Sequence, residues 1–289
     1  MKIISSVREM RDVSFGIRAS LKTIGFVPTM GCLHEGHISL VRSCSAECDL
    51  TVVSVFVNPT QFGPGEDFEK YPRNTNGDIS LLKKEKVDVV FVPGSGEMYP
   101  EECLTYVDVT GGLTEKLCAA SRPGHFRGVA TVVAKLFNIV DPDRSYFGQK
   151  DAQQALVIRK MASDLNFRTD IRIMPTVRES DGLAMSSRNK YLSADDRRLA
   201  ALIFKALQKA AETADGGERK ADVILKAALD VLLLEDGIKI DYAEVVDAFS
   251  LESIKKVTDK ALLVMAVFIG KARLIDNIEI TVRNGKDKK

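Results

Sequence analysis

Short apolar runs alternate with amphipathic stretches along roughly the first 175 residues of the chain. Runs rich in β-branched and aromatic residues are typical of buried parallel strands, and they occupy residues 24–28, 51–57, 87–92, 144–147 and 170–173. Apolar residues recur at helical spacing between them, over residues 37–48, 77–86, 128–140 and 152–165. This alternation predicts an α/β fold with a Rossmann-like, doubly wound parallel sheet and helices on both faces.

The pattern changes near residue 176. A polar loop leads into an alanine- and leucine-rich helical pattern over residues 194–214, and two glycines separate it from a second helix that ends near residue 234. Three strand-like runs, 238–246, 261–269 and 273–282, then close the chain. We therefore predict a Rossmann-like domain over residues 1–176 and a smaller C-terminal α+β domain over residues 177–289.

Composition narrows the class of protein. The 289 residues carry a net charge of +1, so no overall field favours nucleic acid or an anionic membrane. The basic run Lys286, Lys288 and Lys289 is interpreted as a solvated terminus. The start of the chain lacks the apolar stretch of a signal peptide, and no segment has the length of a membrane span. We expect a soluble, cytoplasmic protein.

Five cysteines are scattered along the chain without a Cys-x-x-Cys pair. This pattern is typical of half-buried thiols in a reducing compartment. Cys44 and Cys48 are four residues apart on one helix face, so half of a metal site is the alternative interpretation.

Two of the three histidines lie in one motif directly after the first predicted strand. His34 and His37 fall on one side of a helical turn, and Gly36 lets an anion approach the backbone. A helix N-terminus there favours phosphate. Two alternatives are a metal site with His125 as the third ligand and a pair of capping or core histidines. Neither a Walker lysine pattern nor Gly-x-Gly-x-x-Gly follows this strand, which disfavours kinases and dinucleotide-binding proteins.

Two loops add polar and basic side chains. Asn58 and Gln61 follow the strand at 51–57, and their amides can bind a hydroxyl or carboxylate beside the histidines; a turn capped by Asn58 is the alternative. The glycine-containing residues 63–67 resemble a mobile lid. Arg122 and His125 lie in a segment that suits an anion, with an ordinary basic loop as the alternative.

The strand at 144–147 is followed by Gly148, Gln149, Lys150 and Asp151. Lys150 supplies a compact cation, and Asp151 can cap the next helix or accept from a ribose hydroxyl. Gln153 and Gln154 lie on that helix's first turn, and we expect one of them to face the cleft.

The loop between the two predicted domains contains Met185, Ser186, Ser187 and Arg188. Two hydroxyls and a guanidinium in sequence can clamp a polyphosphate. By itself, Ser-Ser-Arg is a weak motif.

Together these residues resemble a known family. The His-x-Gly-His motif and the Met-Ser-Ser-Arg run resemble the two signatures of the nucleotidylyltransferase superfamily. Five blocks, in order from about residue 24 to 192, are similar to the pantoate–β-alanine ligase family: Pro-Thr-Met-Gly with His-Glu-Gly-His, Asn-Pro-Thr-Gln-Phe, Arg-Pro-Gly-His-Phe-Arg-Gly, Tyr-Phe-Gly-Gln-Lys-Asp and Met-Ser-Ser-Arg-Asn. No single block would be specific.

The resemblance implies that pantoate reacts with ATP to give pantoyl adenylate and pyrophosphate, and that β-alanine then displaces AMP. It implies ATP with Mg²⁺, a homodimer, and no nucleic-acid or membrane partner. The protein ligands of the metal stay unknown.

The resemblance also assigns site residues. The implied catalytic residues are His34, His37, Lys150 and Arg188. The implied ATP-binding residues are Met30, Gly31, Cys32, Leu33, His34, Glu35, Gly36, His37, Gly148, Gln149, Lys150, Asp151, Val177, Met185, Ser186, Ser187 and Arg188. Gln61, Asn58 and Gln154 are the implied pantoate and β-alanine residues. Cys32 stands where the family commonly has alanine.

Three alternative functions remain at this point. A nucleotidylyltransferase that stops at AMP or CMP transfer shares the histidine motif, but does not explain Asn58, Gln61 and Gln154. A tRNA synthetase lacks support because no basic stripe is evident. A non-catalytic nucleotide-binding module is disfavoured by the intact set of His34, His37, Lys150 and Arg188.

Overall fold

The computed structural model describes residues 1–100 and 104–281, and the chain groups into two compact units. The first contains residues 1–149 and 153–175; the second contains Lys150–Ala152 and the chain from Thr176. Cys103 and the basic C-terminal residues lie outside the described residues.

The first unit contains a six-stranded sheet whose strands all run parallel. Its strands are β1 (Lys2–Ile4), β2 (Ile24–Thr29), β3 (Leu50–Val55), β4 (Val89–Phe91), β5 (Arg144–Gly148) and β6 (Asp170–Met174). Their order is β1-β4-β3-β2-β5-β6, so successive strands extend the sheet in one direction from β2 and then in the other from β5. The order therefore reverses between β2 and β5, where open sheets of this kind bind ligands at the strands' carboxyl ends.

Helices surround this sheet: α1 (Val7–Ala19), α2 (Glu35–Glu47), α3 (Thr75–Lys84), α4 (Ser95–Met98), α5 (Cys118–Ser121), α6 (His125–Val140) and α7 (Ala152–Asp164). Neighbouring residues of one strand enter different cores. Phe26 belongs to a cluster with residues of α6 and α7, whereas Val27 belongs to a cluster with residues of α2. Because side chains alternate along a strand, both faces of the sheet are buried. The predicted doubly wound sheet is confirmed.

The sequence pattern missed the first two elements. β1 contributes only two apolar residues, Ile3 and Ile4, whereas the equally short β4 lies within the longer strand-like run 87–92. In α1, Val7, Met10 and Ile17 do recur at helical spacing and pack into the core, and Ser6 caps the helix by accepting a hydrogen bond from the Glu9 N–H. The strand before the histidine motif is therefore the second strand, not the first.

Two predicted helices begin earlier than expected. α2 begins at Glu35 rather than His37, with His34 as its N-cap residue. α6 begins at His125 rather than Gly128, after Gly124 with φ +80°. Glycine takes this left-handed conformation without a steric penalty, so the backbone turns directly into the helix. Both histidine-bearing segments thus form helix N-termini.

The second unit is an antiparallel sheet with two long helices. Its elements are α8 (Ala194–Asp215), α9 (Ala221–Leu232), β7 (Ile238–Asp247), β8 (Lys260–Ile269) and β9 (Ala272–Thr281). The strand order is β7-β8-β9. Ile203 of α8, Ile224 of α9 and Leu263 of β8 meet in one buried cluster. The predicted α+β region is confirmed. Among the described helices, none is long and apolar enough to cross a membrane.

Candidate active site

The histidine motif forms the connection between β2 and α2. The His34 and His37 rings lie 4.1 Å apart between centroids, tilted by 44°. The His34 N–H points at His37 Nδ1 from 3.4 Å. Because that nitrogen faces a donor, the neutral His37 ring carries its proton on Nε2. The motif places two imidazoles and the positive end of a helix dipole at the carboxyl end of β2.

The loop before these histidines is held by a buried carboxylate. Asp78 of α3 accepts hydrogen bonds from the backbone N–H groups of Cys32, at 2.8 Å, and Leu33, at 2.7 Å. Gly31 has φ +80°, and a Cβ there would lie 2.9 Å from both Asp78 Oδ2 and Val55 Cγ1. Cys32 is buried and also has a positive φ, of 50°. Gly31 and Asp78 together therefore fix the backbone that leads into His34.

Asp78 was missed in the sequence analysis. An acidic residue in the first turn of a helix is common because it stabilises the helix dipole. That ordinary role hid the long-range one, since nothing in the sequence indicates contacts with residues 45 and 46 positions away.

A cavity of about 230 Å³ lies beside this loop, at the carboxyl ends of β2, β3 and β4. Its lining includes Met30, Gly31 and Cys32 from the predicted ATP-binding set. It also includes Arg73 and Asn74, which the sequence analysis did not select. The cavity adjoins the predicted phosphate-binding motif, and the Arg73 guanidinium in its lining donates to the carbonyls of Phe68, Glu69 and Tyr71.

Asn58 and Gln61 form a buried polar cluster next to the same loop. The Asn58 amide donates to Gln61 Oε1, at 3.1 Å, and to the Gly128 carbonyl, at 3.2 Å. The Tyr99 hydroxyl donates to Asn58 Oδ1 at 2.8 Å. Gln61 Nε2 in turn lies 3.2 Å from Met30 Sδ. Asn58 is thus saturated by protein partners and orients Gln61, whose amide adjoins the histidine-motif loop as predicted.

Arg122 and His125 are held by contacts with Glu66 and Gln61. Arg122 makes a two-pronged ion pair with Glu66, with N···O distances of 2.8 and 2.7 Å. It also lies 3.0 Å from His125 Nε2, while His125 Nδ1 lies 2.8 Å from the Gln61 carbonyl. These partners place the His125 proton on Nδ1. Glu66 neutralises the Arg122 guanidinium, so an anion bound here would compete with this ion pair, and the predicted anion-binding role of the segment stays a prediction.

The same contacts weaken the metal alternative. Both ring nitrogens of His125 are occupied, so this residue cannot complete a metal site with His34 and His37. Within residues 1–100 and 104–281, no group of three or more histidine, cysteine or acidic side chains has the arrangement of a metal site. This also leaves the Cys44–Cys48 pair without further ligands among those residues.

Burial distinguishes the two glutamines at the start of α7. Gln153 is buried, and its side chain donates to the carbonyls of Leu113 and Lys116 at 2.8 and 2.9 Å. It also accepts from the Cys118 N–H at 3.1 Å. Gln153 therefore holds an internal loop, whereas Gln154 is half-buried and its binding of pantoate stays a prediction.

Gly148 ends β5 and Gln149 follows it, so both lie next to the switch point of the sheet. A Cβ placed on Gly148 would meet no atom of the described residues within 4 Å. Space therefore exists for a ligand directly above this strand end. The remaining predicted ATP-binding residues belong to the second unit.

In the second unit, the Lys150 ammonium lies 3.6 Å from Asp151 Oδ1. Val177 and Met185 meet across a hairpin, where the Met185 N–H donates to the Val177 carbonyl at 3.0 Å. Ser186 accepts from the Arg188 N–H at 3.3 Å and starts a short 3₁₀ helix. The structure thus joins the predicted adenine contact and the predicted phosphate clamp in one hairpin.

The chain matches known proteins over nearly its whole length. The family model for pantoate–β-alanine ligase matches residues 2–279. The chain is 53% identical to the pantothenate synthetase of Thermosipho africanus, with 97% of this chain and 100% of that protein covered. It is 54% identical to the pantothenate synthetase of Thermotoga neapolitana, with 96% and 99% covered.

Solved structures match as well. The crystal structure of pantothenate synthetase from Thermus thermophilus matches with a TM-score of 0.92 and 44% identity, covering 97% of this chain and all of that one. Pantoate–β-alanine ligase from Francisella tularensis, complexed with β-γ ATP and β-alanine, matches with a TM-score of 0.80 and 34% identity over 96% and 97% of the two chains. The chain therefore belongs to the pantoate–β-alanine ligase family, a family of amide-bond-forming ligases.

Proposed function

We propose that this protein condenses (R)-pantoate with β-alanine at the expense of ATP, giving pantothenate, AMP and pyrophosphate. The observation that carries the proposal is the contact between Gln61 Nε2 and Met30 Sδ, because it joins an amide suited to a carboxylic acid to the phosphate-binding loop. Family membership supplies the two acids, and the Francisella tularensis relative was solved with β-γ ATP and β-alanine.

The first step joins pantoate to the nucleotide. The pantoate carboxylate is ionised at neutral pH and needs no general base. One of its oxygens attacks the α-phosphorus of ATP, and the bond from that phosphorus to the bridging oxygen of pyrophosphate breaks. Negative charge then builds on the α-phosphate and on the leaving group, so the site must supply cations and hydrogen-bond donors. We assign this role to His34, His37, Lys150 and Arg188.

The second step forms the amide. The free amine of β-alanine attacks the acyl carbon of pantoyl adenylate, and the bond from that carbon to the AMP oxygen breaks. We assign pantoate and then β-alanine to Gln61 and Gln154, with Asn58 orienting Gln61 through the 3.1 Å hydrogen bond between their amides. A nucleotidylyltransferase that stops at nucleotide transfer would not need this acid-binding set.

We propose that Mg²⁺ enters with ATP as part of the substrate. Mg²⁺ keeps several waters and is usually bound by substrate phosphates with one or two carboxylates. The described residues, which contain no acidic or histidine cluster of metal-site type, fit such a substrate-borne ion. ATP titrations with and without Mg²⁺, followed by AMP release, test this assignment.

We assign nucleotide and pantoate binding to residues 1–176, and phosphate closure and dimer contacts to residues 177–289. The enzyme is proposed to act as a homodimer in the cytoplasm. Light scattering coupled to size-exclusion chromatography tests the proposed homodimer: a mass near twice 31.8 kDa is expected, and a mass near 31.8 kDa would contradict it.

Product analysis tests the proposed reaction. The protein is incubated with ATP, Mg²⁺, pantoate and β-alanine, and the nucleotides are separated. AMP is expected in equal amount to pantothenate. Formation of ADP would instead indicate an acyl phosphate intermediate and would reject the adenylate mechanism.

A further inference from the structure

Strand β9 carries two adjacent polar residues in an otherwise apolar sequence, Leu274-Ile275-Asp276-Asn277-Ile278. Asp276 is 3% exposed and Asn277 is 5% exposed. Successive side chains of a strand point to opposite faces, so Asp276 and Asn277 lie on opposite faces of β9. Burying polar groups is unfavourable unless they are hydrogen-bonded, and both residues therefore need partners.

Asp276 holds the hairpin that carries the predicted nucleotide contacts. Its two carboxylate oxygens accept from the two terminal nitrogens of Arg178, at 2.6 and 3.0 Å. Arg178 also donates to the Gly182 carbonyl, at 3.1 Å, and its guanidinium lies 4.0 Å from the centre of the Phe204 ring. The hairpin is thus attached to β9 next to Val177, the predicted adenine contact.

Asn277 holds the segment that carries the predicted catalytic lysine. Its Nδ2 donates to the Lys150 carbonyl at 3.1 Å, although the two residues are 127 positions apart. Lys150–Ala152 consequently group with the second unit, while the chain on either side of them belongs to the first. The lysine ammonium is on a flexible four-carbon stem, so its position depends on how firmly the backbone beneath it is held.

We propose that Asp276 and Asn277 are positioning residues for adenylation: Asn277 fixes Lys150, and Asp276 fixes the hairpin from Val177 to Arg188. This rests on the proposed function, because Lys150 and the hairpin are assigned there to ATP. Two neighbouring residues of one strand thereby fix the position of Lys150 relative to the adenine- and phosphate-binding hairpin within the second unit.

The test is a double-mutant cycle on pantoate-dependent ATP–pyrophosphate exchange. Asn277→Ala, Lys150→Ala and the double variant are compared with wild type, together with their melting temperatures. Asn277→Ala should lower the kcat of exchange roughly tenfold or more, since a misplacement of about 1 Å can cost about 100-fold. In the Lys150→Ala background, the same substitution should cause little further loss, because its effect passes through the lysine.

Two matched controls separate positioning from general destabilisation. Asn138→Ala removes an amide that also donates to a backbone carbonyl, that of Ala134 at 3.0 Å, and should leave exchange unchanged. Asp276→Asn should raise the KM for ATP more than it lowers kcat. Asp241→Asn, which breaks the Arg273 ion pair on the same sheet, should not change that KM.

The outcomes are distinguishable. If the wild-type protein catalyses exchange and the effects of Asn277→Ala and Lys150→Ala are not additive, the positioning role of Asn277 is supported. Wild-type exchange with an additive cycle, or with Asn277→Ala indistinguishable from Asn138→Ala, overturns the positioning role while the proposed function stands. A wild-type protein without exchange overturns both. If Asn277→Ala fails to fold, Asn277→Asp replaces the donor by an acceptor of the same shape, and the same cycle decides.

Discussion

The imidazole of His37 illustrates what one residue contributes. Its Nδ1 faces the His34 N–H, so the neutral ring carries its proton on Nε2, and the proposed role of that N–H is to donate to a phosphate oxygen. The resemblance implied this role, and the structure adds the tautomer. Nothing in the motif alone distinguishes a phosphate-binding histidine from a capping one, because both stand at a helix N-terminus.

We predict that His37→Ala and Lys150→Ala each lower the rate of adenylation by about 100- to 1,000-fold, the usual effect of removing one donor that stabilises transition-state charge. Melting temperatures should stay near that of wild type. Single-turnover formation of pantoyl adenylate measures the rate, and Lys160→Ala, an exposed lysine of α7 paired with Asp164, is the control. A large loss of stability in His37→Ala would instead favour the capping interpretation.

Asp78 is the second residue with a specific expectation. Asp78→Asn places an amide donor against one of two backbone N–H groups, and an unsatisfied buried donor costs about 1–3 kcal/mol. The free energy of unfolding should fall by about this amount, and the KM for ATP should rise because the loop before His34 loosens. Urea unfolding and exchange kinetics measure both.

The exposed Asp12 of α1 provides the matched control for that variant. Asp12→Asn should change neither quantity. An Asp78→Asn protein with wild-type stability and wild-type KM would show that the two hydrogen bonds do not fix the loop.

At the scale of elements, α6 approaches the Asn58–Gln61 turn so closely that only glycine fits. A Cβ on Gly128 would lie 2.2 Å from the Thr60 carbonyl oxygen and 2.6 Å from Gln61 Cα. These atoms belong to backbone and cannot rotate away. Gly128→Ala should therefore shift the turn, destabilise the protein by about 1–3 kcal/mol and raise the KM for pantoate.

Gly16 offers the comparison, since it also lies within a helix, but a Cβ added there would have no atom of the described residues within 4 Å. Gly16→Ala should stabilise the protein by about 0.4–1 kcal/mol, by lowering the entropy of the unfolded chain. Equal effects of the two substitutions on thermal unfolding would refute the role of the close approach.

The ion pair between Glu66 and Arg122 joins the predicted lid loop to the segment before α6. Burial raises the pKa of Glu66, but the hydrogen bonds and charge of Arg122 outweigh it and hold the pKa below its usual value. The ion pair should contribute about 1 kcal/mol to the free energy of unfolding. This contribution should be complete above the pKa of glutamate in the unfolded chain, about 4.3, and should disappear as the pH falls through the lowered pKa of Glu66 in the folded protein.

Glu66→Gln should therefore lower the melting temperature at neutral pH, and the difference from wild type should shrink as the pH falls below about 4.3. Glu115→Gln, at an exposed glutamate of the same unit, is the control. A difference that stays constant over the whole pH range would contradict the ion-pair assignment.

Elements were predictable where the pattern was long and strong. Strands β2 to β6 and the helices α2, α3, α6, α7, α8 and α9 follow directly from the apolar pattern. β1 has only two apolar residues in its pattern, and α1 was overlooked although its spacing was regular. The start of α6 was misplaced because a left-handed Gly124 lets the helix begin without a polar cap. Local patterns predict elements, whereas close approaches such as Gly128 against Thr60 depend on tertiary packing.

At the scale of the whole molecule, the sequence indicated a candidate site but not the residues that support it. His34, His37, Asn58 and Gln61 stood in recognisable motifs after strands. Asp78, Glu66 and the Asp276–Asn277 pair act across 45 to 127 positions of sequence, and each resembles an ordinary capping, surface or strand residue when taken alone. The ion pair of Arg122 was not predicted either, since its carboxylate partner is 56 residues away.

Pantoate-dependent exchange of labelled pyrophosphate into ATP, without β-alanine, tests the central claim most directly. It reports the reversible first step alone, before any amide forms. We predict exchange that requires both pantoate and Mg²⁺, is lowered about 100- to 1,000-fold by Lys150→Ala, and is accompanied by AMP release only after β-alanine is added. An enzyme preparation that forms pantothenate when β-alanine is present, but shows no exchange with pantoate alone, would contradict the adenylate mechanism.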